Sequence, residues 1–288
     1  MKTLVTVGIC MKNAKDTIGE TLKAVLEQDY PPELVEIIVV DGGSSDSSVA
    51  IVRLRLEKTH RRWKLYSDGR KGLGFARQIV IDHGRGKYVV YVDSDVVIEK
   101  DLIRRQQEFM ENNTRVGIGL SRFLHKDGNW LLSAWSLYHS FSPNFVGCAF
   151  SCRKAAILRV GGFDKQIVGA GEDVELIGRV ESDGWLVSTC EAAKFRHNFR
   201  QTLRGFWSEH IWFGYGGYYI AHKDRGRFAP WRSMPPGQLI FGIRAGSRLY
   251  RATRRKISFV IGPLLVFGSV AWCFGFLKAA LFGYHSGR

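Results

Sequence analysis

Two acidic clusters carry residue types and spacings that can do chemistry. Asp93-Ser94-Asp95 follows at once on the apolar run Tyr88-Val89-Val90-Tyr91-Val92. Two carboxylates one residue apart at a strand end can share a hard divalent cation, Mg²⁺ or Mn²⁺, with the oxygens of a diphosphate. The same triplet also occurs in ordinary loops. The second cluster is Gly161-Gly162-Phe163-Asp164, followed by Gly169-Ala170-Gly171-Glu172-Asp173. Glycines ahead of an acidic pair press a loop close to a ligand and then open a helix. A carboxylate placed there can lie close to that ligand, or it can merely complement the helix dipole. The chemical reading requires both clusters, and Asp95 and Asp173 in particular, to share one cleft.

Such groups need a fold that collects strand ends. The first half of the chain alternates strand and helix. Leu4–Cys10 is a β-branched apolar run, and Thr17-Ile18-Gly19-Glu20 has the form of a capping box opening a helix to about Gln28. Val35–Val40 reads as a buried strand and Asp41–Asp46 as a turn into a helix to about Lys58. Trp63–Ser67, Gly72–Arg85 and Tyr88–Val92 complete the rhythm as strand, helix and strand. This predicts an α/β, doubly wound and mainly parallel sheet flanked by helices. Ligands bind beyond the carboxyl ends of such strands. Lys12 and Asn13, Asp41, Asp68 and Gly69, and Asp93 and Asp95 fall at those ends.

With 45% hydrophobic and 24% charged residues, the 288-residue chain is a folded protein and not a disordered one. Its 42 Lys plus Arg against 27 Asp plus Glu, a net charge of +15, call for an anionic partner: nucleic acid, acidic lipid or a phosphate-bearing substrate. The five cysteines are scattered and lack paired CxxC spacing; Cys148 and Cys152 could share a metal, but small buried hydrophobes are the simpler reading. The apolar start is too short for a secretory signal, so the bulk of the chain is expected to stay in the cytoplasm. Near the other end, Arg244, Arg248, Arg251, Arg254, Arg255 and Lys256 precede an uncharged stretch, 257–277, long enough to span a bilayer. The positive-inside rule keeps the preceding domain on the cytoplasmic side of the membrane. Gly262 and Pro263 interrupt the stretch, so lying along the membrane is open as well as crossing it. The expected division is a catalytic domain over 1–222, a basic amphipathic juxtamembrane region over 223–256 and a transmembrane or membrane-inserted segment over 257–283.

In order along the chain stand VVDGGSSD (39–46), KGLGFARQ (71–78), YVDSD (91–95), VGGFD (160–164), GEDVEL (171–176) and GW (184–185). This series resembles the large second family of inverting glycosyltransferases, with the glycosyltransferase-A fold, over roughly residues 4–200. The resemblance implies a nucleotide diphosphate sugar donor and a Mn²⁺ or Mg²⁺ cofactor. It implies that Asp41 reads the nucleobase, and that Asp68, Gly72 and Arg77 line the nucleotide and its phosphates. Asp93 would contact the ribose and metal region, with Asp95 as direct metal ligand and His197 as a further ligand. Asp173 would be the catalytic base in a single displacement, with Glu172 beside it. Processive members carry Gln-x-x-Arg-Trp after the base. Here Gln201-Thr202-Leu203-Arg204-Gly205 has glycine for tryptophan, so transfer of one or a few sugars is expected.

The tail points to a lipid-linked acceptor, a polyprenyl phosphate or lipid-linked glycan; a soluble polysaccharide or protein-glycan acceptor is the alternative. The aromatics Trp207, Trp212, Phe213, Tyr215, Tyr218 and Tyr219 could line an acceptor site, meet the interface or pack in the core. A basic nucleic-acid-binding protein is the reading from another class. No recognition helix, zinc motif or RNA-binding aromatic motif supports it, so no nucleic-acid partner is expected.

Overall fold

The computed structural model describes residues 3–141, 147–223 and 233–285. Its centre is an eight-stranded sheet of β1 (Val5–Met11), β2 (Val35–Asp41), β3 (Arg62–Ser67), β4 (Tyr88–Val92), β5 (Val96–Ile98), β6 (Val116–Phe123), β7 (Ala149–Arg153) and β8 (Leu186–His197). The spatial order is β3-β2-β1-β4-β7-β6-β8-β5. β3, β2, β1 and β4 run parallel, as the alternating pattern predicts. Beyond β4 the sheet is mixed: β7 is antiparallel to β4 and β6, β8 is parallel to β6, and β5 is antiparallel to β8. β1, β2 and β4 are almost wholly buried, which is why they read as continuous apolar runs instead of alternating ones.

The helices on this sheet are α1 (Ile18–Leu26), α2 (Ser48–Leu56), α3 (Leu73–His83), α4 (Leu102–Asn112), α5 (Trp130–Ser140), α6 (Lys154–Arg159) and α7 (Glu172–Ser182). At α1 the expected capping box does not form. The Thr17 side chain accepts nothing from the helix, and its hydroxyl donates back to the Ala14 carbonyl at 3.4 Å. Three long helices follow: α8 (Leu203–Lys223), α9 (Pro235–Thr253) and α10 (Ile261–Phe282). A short 3-10 turn at Lys256–Val260 joins the last two, and residues 224–232, the start of the expected juxtamembrane region, lie outside the described residues.

Glycine decides how the long helices meet. A Cβ on Gly216 of α8 would land on the Ala170 backbone, and one on Gly217 would lie 2.7 Å from the Trp272 ring of α10. On α10, Gly268 faces the His210 ring and Gly275 faces the backbone of Ile211 and Tyr215. Without side chains at these points the backbones approach closely, so α8 is held between the sheet domain and α10. Most of the aromatics on α8 serve this packing. Trp207 meets Phe267 and Phe274 at 4.9 and 5.8 Å, and Tyr218 meets Phe276 at 5.3 Å.

Candidate active site

The site assembles at the carboxyl end of β4. β4 pairs with β7 in the register Val92↔Ala149, and the Asp93 N–H donates to the Cys148 carbonyl at 2.9 Å. This sets Gly147 beside Asp93. β5 pairs with β8 in the register Val96↔His197, which carries His197 from a distant part of the chain to Asp95. His197 Nε2 lies 3.1 Å from Asp95 Oδ1. From the other side comes α7, whose first two residues are Glu172 and Asp173. Gly171 ahead of them takes φ +105°, a left-handed conformation open to glycine.

Arg77 of α3 joins these pieces. Its Nη1 is 2.8 Å from Glu172 Oε1, while its Nη2 donates to Asp93 Oδ1 at 3.0 Å and to the Gly147 carbonyl at 2.9 Å. The guanidinium is 2% exposed and lies over the rings of Phe150 and Tyr91, at 5.1 and 5.5 Å. Asp173 closes the group: its Oδ2 packs directly on Gly147, where any Cβ would collide with it. Through Arg77, Asp93 of the first acidic cluster and Glu172 of the second meet on one guanidinium.

More carboxylates than cations meet here. Burial pushes Asp93 up to about 6; Arg77 opposes this and Asp95 adds to it. Burial likewise pushes Glu172 up to about 8, with Arg77 opposing and the charge of Asp173 adding. At the second pair, burial works against a charged His197 ring, yet Asp95 and the Cys148 thiol hold its proton affinity well above the ordinary histidine range. Asp95 is lowered in turn, His197 outweighing the effect of burial. Among the described residues no three His, Cys, Asp or Glu side chains converge on one metal position. The expected set Asp93, Asp95 and His197 therefore does not form a closed cage, because Asp93 turns to Arg77 while Asp95 and His197 face each other.

A cavity of about 1120 Å³ opens beside this cluster over the ends of β1 and β2. Cys10 on its wall is within electrostatic reach of Arg77, Asp93, Glu172 and Asp68. Asp68 and Gly72 line the cavity. Asp68 is 3% exposed and also shapes its own loop, accepting the N–H groups of Arg70 at 2.7 Å and Gly72 at 3.2 Å. Asp41 ends β2 and accepts N–H bonds from Gly43 and Ser44 at 3.2 and 3.1 Å, the bonding of a turn starter, with Gly42 next to it on the cavity wall. Arg77 departs from its expected place: it is not on the cavity wall, because its fork is committed to Glu172, Asp93 and Gly147.

The quoted motifs lock to one another around the cavity. The Gln78 side-chain oxygen accepts the Phe163 N–H at 2.7 Å, and Gly74 donates to the Ile167 carbonyl at 3.2 Å. A Cβ on Gly72 would lie 2.6 Å from the Val168 Cα, so the glycines of KGLG let the loop after VGGFD settle on the start of α3. Some cavity residues had no motif to announce them. Arg200, Trp212 and Tyr215 arrive with α8 and its approach, and Lys278, Phe282 and His285 arrive with the end of α10. Glu209 of α8 is raised by burial while the charges of His197 and Arg200 oppose it. Arg77 did have a signal, since it falls on the apolar face of α3 with Val80 and Ile81, where a charge needs a partner.

A Rossmann-like sheet that gathers these acids at its strand ends has the glycosyltransferase-A architecture. The chain belongs to glycosyl transferase family 2, whose profile matches residues 6–161. Among curated proteins it is 34% identical over 109 residues to the putative teichuronic acid biosynthesis glycosyltransferase TuaG of Bacillus subtilis, a match covering 38% of this chain and 42% of TuaG. It is 28% identical over 101 residues to the poly(ribitol-phosphate) beta-N-acetylglucosaminyltransferase TarS of Staphylococcus aureus, covering 35% of this chain and 18% of TarS. The chain thus spans half or less of the curated relatives it matches. Among solved structures, the mannosyltransferase PcManGT of Pyrobaculum calidifontis, in complex with GDP-Man and Mn²⁺, shares the fold at TM-score 0.69 and 19% identity. That likeness covers 98% of this chain and 88% of that one. The TarS fragment 1–349 in complex with UDP-GlcNAc aligns at TM-score 0.57 and 14% identity, covering 96% and 91% of the two chains.

Proposed function

We propose that this protein transfers a sugar from a nucleotide diphosphate sugar to an acceptor hydroxyl by a single displacement that inverts the anomeric centre. The observation that carries this reading is the Arg77 fork. One buried guanidinium holds Asp93 at 3.0 Å and Glu172 at 2.8 Å, fixing a strand-end acid and the start of α7 against each other. Asp173, beside Glu172 and against Gly147, then has the position of a base that takes the proton of the incoming hydroxyl as the bond to sugar forms. Glu172 stays buried and sets the direction of its neighbour.

Asp95 and His197 would hold a Mn²⁺ or Mg²⁺ ion, a cation that binds carboxylate oxygen and accepts imidazole nitrogen. His197 Nε2 and Asp95 Oδ1 lie 3.1 Å apart, so a ring nitrogen and a carboxylate oxygen, both donor types for such an ion, already face each other. When bound, such an ion supplies neutralisation of the charge that develops on the leaving diphosphate. The comparison proteins support the donor class: PcManGT is in complex with GDP-Man and Mn²⁺, and the TarS fragment with UDP-GlcNAc. For the acceptor we propose a lipid-linked phosphate or glycan met at the cytoplasmic face of a membrane, with the C-terminal helices as the membrane seat. One helical stretch among the described residues, Lys256–Phe282, is long and apolar enough to cross a bilayer, and it is half buried in the protein.

The direct test is Asp173→Asn. The variant should fold, and nucleoside diphosphates with Mn²⁺ should raise its melting temperature as they do in the parent, while turnover falls about 10²–10⁴-fold. A variant that keeps full turnover would remove Asp173 from the reaction. Label from a nucleotide sugar should pass into the organic phase of a membrane extract; label found only in water-soluble product would decide for a soluble acceptor.

A further inference from the structure

From the way both ends of α10 are fastened, we infer that the C-terminal helices lie in the plane of one leaflet of an anionic membrane and do not cross it. The inference rests on the proposed membrane seat and fixes its geometry. α10 has 22 residues, about 33 Å at 1.5 Å per residue, enough for the hydrocarbon core. A spanning helix would carry its two ends to opposite sides of the bilayer.

Here both ends are held by the same catalytic body. At the start, Arg255 pairs with Asp127 at 2.9 Å and lies 2.6 Å from His125, on the loop before α5. Ile261, Leu264 and Leu265 then enter the hydrophobic core that contains Leu131 and Trp135 of α5. At the other end, the Tyr284 hydroxyl accepts the N–H groups of Val168 and Gly169 at 2.8 and 3.0 Å. Its ring stacks on Tyr215 and Tyr219, with centroids 4.9 and 5.0 Å away. Between the two ends the glycine seam keeps α10 against α8. α8 is itself fixed to the body by Phe206 on Trp135 at 4.9 Å and by Lys223 on Asp164 and Glu175, both at 2.6 Å. Crossing would therefore put polar parts of one folded domain on both sides of the membrane.

The outer side of these helices has the chemistry of a lipid surface. Phe274, Leu277 and Leu281 of α10 are 58%, 53% and 74% exposed and follow helical spacing, while Ile240 and Ile243 of α9 are 58% and 59% exposed. Large apolar side chains left bare along a helix mark an interaction face. Residues 233–285 hold seven Lys or Arg and no Asp or Glu, and such charge favours anionic headgroups over a second copy of the same basic face. Lys278 and Phe282 lie both on α10 and on the cavity wall, so a helix lying in the leaflet puts the rim of the donor cavity at the lipid surface. A phosphate-headed acceptor could then reach it without leaving the membrane.

The test uses the full chain in cells and on vesicles. Ala252→Cys and His285→Cys, placed before and after α10, are labelled with a membrane-impermeant maleimide over the background of the parent. Both should react in inside-out vesicles and neither in intact spheroplasts. Labelling of His285→Cys in intact spheroplasts would establish a span and overturn the inference while leaving the membrane seat in place. The purified protein should float with phosphatidylcholine vesicles that contain phosphatidylglycerol, and Leu277→Glu/Leu281→Glu should weaken this about tenfold or more with the melting temperature retained. Failure to float, with label still passing to a soluble acceptor, would overturn the membrane seat itself. A dimer dissociated by the same pair of substitutions, without flotation, would assign the face to a second copy.

Discussion

Three carboxylates, Asp93, Glu172 and Asp173, surround the buried Arg77, and the replacements at that residue follow from the geometry of its fork. Lysine presents one compact charge and cannot hold Glu172 and Asp93 together, so Arg77→Lys should keep part of the stability and little of the turnover. Arg77→Met leaves buried carboxylates without their cation and should cost about 3–5 kcal/mol, read from denaturant midpoints. A Met variant as stable as the parent would show the fork to be dispensable. The same acids set a pH dependence. Burial holds the folded-state proton affinities of Asp93 and Glu172, at about 6 and about 8, above ordinary carboxylate values. The folded chain therefore binds more protons than the unfolded chain within that window, and stability is lost as pH rises through it. In chelator, the urea midpoint should decline from about pH 5 to about pH 8, and Glu172→Gln should flatten the profile. A midpoint that climbs over this range would contradict the assigned environment.

At the scale of elements, the start of α7 is braced from two directions. Gly216 of α8 sits on Ala170, and Tyr284 beyond α10 holds the N–H groups of Val168 and Gly169. Gly216→Ala places a methyl group against backbone that cannot yield without moving the loop that carries Glu172 and Asp173. It should cost about 1–3 kcal/mol in thermal or chemical unfolding and lower turnover by more than the lost stability accounts for. Tyr284→Phe keeps the stacked ring and removes the hydroxyl that accepts both bonds. The two freed N–H groups should exchange with solvent faster, and kcat should fall with KM for the donor little changed. Unaltered exchange at Val168 and Gly169 would mean that the loop holds itself. These helices thus pack as part of the sheet domain, although the chain reads as a catalytic domain followed by an appendage. Composition marks 257–277 as apolar, but Ile261 and Ala271 are buried while Phe274 and Leu277 are exposed, and apolar character alone does not separate those two fates.

Across the whole molecule, the βα rhythm up to Val92, the acids at the strand ends and the glycines before Glu172 are all legible in the chain. Each is a local effect: apolar runs need burial, acids complement helix starts, and glycine relieves crowding or positive φ. Their order also marks the family, because motif spacing records a shared scaffold. The meeting of His197 with Asp95 depends instead on the antiparallel register of β5 and β8, and the place of Gly147 depends on that of β4 and β7. Arg200, Glu209 and Lys278 reach the site only because α8 and α10 fold back over it. Strand register and helix return are set by the packing of surfaces far apart in sequence, where no local pattern of residues says which partner will be chosen. So the chain by itself determined the chemical groups and the edge of the sheet at which they gather. The tertiary structure alone decided that Arg77 serves the carboxylates and not the cavity, and that both ends of the apolar helix return to one body.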